Sequence, residues 1–170
     1  MIDIEALGTN PDATILTIAA VAFDPFNEIK YNQEYYARID FESQENRSIQ
    51  ETTLEWWATQ NTAAKNEAFA EDNRIPLGDA LDNLAKLITK ADRFWAQGPT
   101  YDMTIIEHAY KSLGKHIPWR YSIVRDTRTV FSLWPDLKKP ETSHNAIEDC
   151  WRQIELLQQT LAHFNISQIK

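Results

Sequence analysis

The sequence predicts an α/β fold on a mixed sheet. Strand-like segments crowd the first forty residues, helical and short strand-like segments alternate after them, and two helical stretches carry apolar stripes. Residues 1–5 open as a strand, with Ile2 and Ile4 pointing one way and Asp3 and Glu5 the other. Gly8, Asn10, Pro11 and Asp12 form a turn. Thr14–Asp24 is a nearly continuous apolar run, which suits a central strand buried on both faces. A turn at Pro25–Glu28 leads into a third strand, Tyr31–Ile39.

Thr53–Gln60 and the alanine-rich Thr62–Ala70 predict two short helices. Pro76 suits the first position of a better one, with Leu77, Leu81, Leu84 and Ile88 on one face. Arg93–Gln97 is a short strand ending at Gly98-Pro99, and Asp102–Leu113 is a helix closed by Gly114. Ser122–Arg125 reads as another short strand, and Asp126 as the cap of a helix through Leu133. The last helix, Asn145–Phe164, carries Ile147, Trp151, Ile154, Leu157 and Leu161 on one stripe, with Asn145 and Glu148 spaced as an N-cap pair. There is no repeat and no linker, so residues 1–170 are expected to form a single domain. Spacing does not fix the strand order.

Composition narrows the function. With 43% hydrophobic and 25% charged residues, the chain is an ordinary globular sequence able to bury a core. The single cysteine, Cys150, excludes an internal disulfide and a cysteine zinc cluster, and fits a reducing compartment. Asp3 and Glu5 stand where a secretory leader would be basic, and the apolar run 15–23 is half the length of a bilayer span. A cytoplasmic protein without membrane contact is expected. The formal charge of −8 points away from broad binding to duplex DNA and towards short or single-stranded substrates, met through local charge cancelled by metal.

Three carboxylate motifs carry the chemistry. Asp3 and Glu5, two apart on a strand, share one face with side-chain roots roughly 6–7 Å apart. That separation allows both to ligate cations about 3.5–4 Å apart. Alone, Asp-x-Glu reads better as the solvated face of an edge strand. Trp95-Ala96-Gln97-Gly98-Pro99-Thr100-Tyr101-Asp102 sets an acid after a strand and a tight turn, and Asp102 alone reads better as a helix cap. His144-Asn145-Ala146-Ile147-Glu148-Asp149 puts a histidine before a helix and an acid in its first turn. A neutral imidazole there takes a proton from water while Asp149 holds a metal. A surface histidine beside acids that favour a helix N-terminus is the equal alternative.

Taken in order, the three motifs resemble the DnaQ-like superfamily of 3′→5′ exonucleases, in the branch with a histidine in its third motif, alongside ribonuclease T and oligoribonuclease. The resemblance covers essentially the whole chain. Thr52-Thr53-Leu54-Glu55-Trp56-Trp57-Ala58-Thr59-Gln60 and Arg125-Asp126-Thr127-Arg128-Thr129 resemble a narrower group of small phage and bacterial exonucleases. The resemblance implies a ribonuclease H-like mixed sheet of about five strands flanked by helices. It implies two Mg²⁺ or Mn²⁺ ions held by Asp3, Glu5, Asp102 and Asp149, with His144 as general base. It also implies action on the 3′ end of single-stranded or 3′-overhanging nucleic acid, short oligonucleotides included, in a bacterial or phage-infected cytoplasm. A homodimer is permitted. Ala6 departs from the threonine common at that position, which removes a hydroxyl contact to the terminal nucleotide and keeps a backbone one.

Further candidates are weighed singly. Trp56 and Trp57 point about 100° apart on a helix. Trp57 is assigned to substrate stacking, with core packing of both tryptophans as the alternative. Tyr101 invites the same two readings. Arg128 reads as a phosphate contact or a plain surface arginine, and Leu7 with Gly8 as the lining of a pocket for the terminal base. His108, His116 and His163 receive no role, and Cys150 reads as core. The rival functions are a non-catalytic nucleic-acid or protein binder of the same fold, and a phosphoesterase acting on nucleotides or short oligomers. No residue identifies a 2′-hydroxyl contact, so RNA and DNA stand level.

Overall fold

The computed structural model describes residues 1–89 and 91–169, the side chains of residues 28–32 excepted. Three antiparallel strands form its centre: β1 (Ile2–Ala6), β2 (Ile15–Asp24) and β3 (Asn27–Ile39). Helices α1 (Glu51–Thr59) and α2 (Thr62–Phe69) follow, then β4 (Arg74–Ile75), which pairs parallel with β3. After α3 (Leu77–Ile88) come β5 (Phe94–Ala96), α4 (Pro99–Ser112), β6 (Val124–Asp126), α5 (Thr127–Phe131) and α6 (Ala146–His163). The expected mixed α/β architecture is present. The sheet of about five strands is instead a ladder of four, ordered β1-β2-β3-β4, plus a parallel β5-β6 pair. β5 lies beside β1 but hydrogen-bonds to β6.

Strand β2 is covered on both faces, which explains its unbroken apolar run. Ile18 and Ala20 face a core shared with Leu81 and Leu84 of α3 and with Ile105 and Ile106 of α4. Ala19 and Val21 face the other core, built on Ile154, Leu157 and Leu161 of α6. A smaller cluster of Leu7, Leu16, Trp57, Ala64 and Ala68 seats α1 and α2 at one end of the sheet.

Local departures have local causes. Helix α4 starts at Pro99, three residues earlier than spacing suggests, because Gly98 turns at φ +92° and proline's fixed φ suits the first helical position. Asp102 therefore sits inside the first turn instead of capping it. Pro76 is the residue before α3, and its carbonyl accepts from Asp79 N and Ala80 N. The 122–125 strand begins two residues later, after a 3₁₀ turn at Tyr121–Ile123. Strand β4 is two residues long, too short to show any alternation. Asp126 and Asn145 cap α5 and α6 as expected, accepting from Arg128 N and Ile147 N.

Trp57 anchors α1. It is 2% exposed and its Nε1 donates to the Ala6 carbonyl at 3.1 Å, tying the helix to the end of β1. Replacing it with alanine is expected to cost about 3–5 kcal/mol. Trp57→Phe, which orphans the Ala6 carbonyl, should cost about 1–3 kcal/mol. Urea unfolding checks both, and a Trp57→Ala loss under about 1 kcal/mol would contradict this packing.

Candidate active site

The site grows from β1. Pleating sends Asp3 and Glu5 to one face, while Ile2 and Ile4 enter the α3/α4 core. The register between β1 and β2 slips between Glu5 and Ala6, a bulge that bends the strand just past the second carboxylate. Helix α4 brings Asp102 alongside, where its Oδ1 accepts from Ile4 N at 3.2 Å. Helix α6 brings Asp149. His144, just ahead of that helix, is held at φ +52°, a left-handed conformation uncommon for histidine.

These five side chains line one cleft of about 440 Å³, together with Gly8, Trp56, Gln97, Tyr101, Thr142, Arg152 and Gln153. Ligand atoms of Glu5, His144 and Asp149 all lie within 4.8 Å of one another. His144 Nδ1 is 3.9 Å from Glu5 Oε1, and the Trp56 ring meets the imidazole edge-on at 4.8 Å between centroids. A larger cavity, about 860 Å³, opens at the other end of β1 and β2 against Phe23, Phe94 and Trp95. Trp95, which opens the second motif, lines it, but neither the four motif carboxylates nor His144 do, so convergent chemistry and not size marks the site.

Negative charge exceeds its local compensation. Burial first, then repulsion from Asp149 and Asp102, pushes the Glu5 carboxyl up to about 8. Burial raises Asp102 to about 7, against hydrogen bonds and Arg128, which act to lower it. Asp3 is raised by burial and then by Asp102, Glu5 and Asp149, although Gln153 Nε2 donates to its Oδ1 at 2.7 Å. Asp149 pairs with Arg152, Oδ1 to Nε at 3.0 Å. Burial lowers His144, so its imidazole favours the neutral form.

Three of the four assigned substrate residues fall outside the cleft. Trp57 is core, because the rotation of α1 turns it inward and Trp56, 41% exposed, towards the cleft. Leu7 packs against Leu16 and Trp57 at 3% exposure, while Gly8 reaches the cleft. Tyr101 lines the cleft. Arg128 is exposed outside it, its guanidinium stacked over the Gly98 turn and donating to Gln97 O at 3.4 Å. Sequence reasoning missed Thr142, Arg152 and Gln153. The last two stand three and four residues after Asp149, the spacing that shares a helix face, and that signal could have found them.

A mixed α/β sheet that gathers the three carboxylate motifs in one place defines the class: this is a DnaQ-like 3′→5′ exonuclease fold. Residues 1–161 match the 3′-5′ exoribonuclease Rv2179c-like domain family, and the chain belongs to it. It is also similar to a protein of Enterobacteria phage T4 named exodeoxyribonuclease, at 24% identity over 120 residues. That match covers 62% of this chain and 52% of the phage protein, so the chain spans about half the length of that relative.

The raised carboxyls have a thermodynamic consequence. The folded chain holds protons on Glu5 and Asp102 that the unfolded chain releases nearer pH 4. The unfolded state therefore binds fewer protons between about pH 4 and 8, and stability should fall as pH rises through that window. In chelator, the urea midpoint is expected to be lower at pH 8.5 than at pH 5. Saturating Mn²⁺ should shrink the difference. A midpoint that holds or climbs would mean these carboxylates are not crowded.

Proposed function

We propose that this chain, as one exonuclease domain acting in the cytoplasm, hydrolyses nucleotides one at a time from the 3′ end of single-stranded or 3′-overhanging nucleic acid. Two Mg²⁺ or Mn²⁺ ions held by Asp3, Glu5, Asp102 and Asp149 serve the reaction, and His144 is the general base. One observation carries the reading: four carboxylates and a histidine from β1, α4 and the start of α6 converge on one cleft. The donor set fits hard divalent cations, since carboxylate oxygens dominate and three of the four acids hold raised proton affinities that added positive charge would relieve. When bound, the cations lower the pKa of the attacking water and offset charge on the leaving 3′ oxygen.

The chain's own residues supply the rest. Because burial keeps His144 neutral, its imidazole is ready to accept the proton of the attacking water. Nδ1 faces Glu5, which leaves Nε2 for that water. Trp56 braces the ring and offers an exposed aromatic face on which a base of any sequence can stack. The missing hydroxyl at Ala6 leaves the strand backbone to meet the terminal nucleotide. No described helix is long and apolar enough to cross a membrane. The family's name speaks for RNA and the phage relative's for DNA, so both polymers belong in the assay.

Incubating 5′-labelled RNA and DNA with the protein and Mn²⁺ should give a ladder shortening from the 3′ end, abolished by EDTA. No cleavage by folded, metal-loaded protein would sink the proposal. Asp3→Ala should lose nearly all activity while circular dichroism stays native. His144→Ala should lower turnover by roughly 10²–10⁴-fold with Mn²⁺ affinity largely kept. A large loss of that affinity would make His144 a ligand instead of the base.

A further inference from the structure

The Asp149 carboxylate accepts from four protein donors. Its Oδ1 takes Ser143 N at 3.2 Å and Arg152 Nε at 3.0 Å, and its Oδ2 takes Thr142 Oγ1 and His144 N at 3.1 Å. An ionised carboxylate has about four in-plane acceptor positions, so all of them are engaged. A cation that takes Asp149 as a ligand must displace a donor. Three of the four are neutral: two backbone amides leading into α6 and a hydroxyl, whose dipoles tolerate a nearby cation. The fourth is a guanidinium, and two cations on one oxygen, about 4 Å or less apart, repel strongly in a half-buried site. Arg152 is also the donor built to move. Its long side chain is 15% exposed, it sits one turn along α6, and it lines the cleft.

We propose that Arg152 is a placeholder cation: it occupies Asp149 Oδ1 until a divalent ion takes that position, then turns to a non-bridging oxygen of the substrate phosphodiester. The proposal rests on the metal reading above. Among the described residues lining the cleft, Arg152 is the one lysine or arginine, so it is the side chain there suited to meet a phosphate by charge. Its charge already reaches the base, since it acts to disfavour protonation of His144. Arg152 thus keeps Asp149 paired, competes with the ion, and then serves the substrate as a positioning residue.

Such a residue has an opposed signature. Isothermal titration with Mn²⁺ should show Arg152→Gln binding the ion about three- to tenfold more tightly than the parent chain. Steady-state kinetics on a labelled oligonucleotide at saturating Mn²⁺ should show KM raised about tenfold. A merely structural arginine would weaken ion binding when removed. Equal or weaker Mn²⁺ binding by folded Arg152→Gln, or an unchanged KM, overturns the proposal. Should Arg152→Gln fail to fold, Arg152→Met decides, because it keeps the aliphatic stem and removes the charge: tighter Mn²⁺ supports the exchange, and equal or weaker binding overturns it. If the parent chain itself takes up no Mn²⁺, the metal reading fails first, and the titration shows that separately.

Discussion

Mutual repulsion among carboxylates is the constraint on which this structure turns. Asp3, Glu5, Asp102 and Asp149 share a cleft in which burial raises the proton affinity of Asp3, Glu5 and Asp102, and neighbouring carboxylates raise Asp3 and Glu5 further. Left free, such groups would move apart into solvent. They stay because each is fixed to an element that cannot move independently. Asp3 and Glu5 are held by β1 in a ladder, Asp102 by the first turn of a helix buried in one core, and Asp149 by a helix buried in the other.

The two cores therefore do more than stabilise. β1 contributes Ile2 and Ile4 to the α3/α4 side, while α6 reaches the opposite face of β2 through Ala19 and Val21. The cleft opens where these layers meet at the end of β1, and the bulge after Glu5 and the Gly98 turn set the directions of the motif residues. Strain at His144, with φ +52°, belongs to the same construction: its backbone N–H is aimed at Asp149 Oδ2 while its ring turns towards Glu5.

How much of this was legible follows from the range of each signal. The Asp3/Glu5 face rests on a period of two, and the caps at Asp126 and Asn145 on residues adjacent to their helices. These are local, and the chain shows them. The apolar run of β2 announced a doubly covered strand for the same reason. Which tryptophan enters the core depends on how α1 is rotated about its axis, and that is decided by tertiary packing against Leu16 of β2 and against Ala64 and Ala68 of the next helix. Leu7 misleads in the same way, since it follows the motif in sequence but points away from the cleft. The split of the sheet into four strands and two depends on long-range pairing that no periodicity encodes. Arg152 and Gln153 were legible in principle, one helical turn after Asp149, but only to a reading that treats the helix face, and not the motif, as the unit.

That face shows how the protein manages its own charge. Helix α6 presents an acid, a cation and a neutral amide in succession. The amide of Gln153, 1% exposed, donates to Asp3 and leaves its Oε1 buried without a partner among the described residues. An orphaned buried acceptor costs about 1–3 kcal/mol. A lysine in its place would pair with Asp3 and remove the cost, but it would also occupy a carboxylate that the proposed cations would use. The amide orients Asp3 without bringing a charge to it, and on the placeholder proposal the guanidinium of Arg152 covers Asp149 without committing it. Both choices leave the carboxylates preorganised and open to added positive charge. Under the proposed metal reading an acidic chain approaches a polyanion because the charge that matters is local, and cations gathered in this cleft would reverse it where a basic surface is not needed.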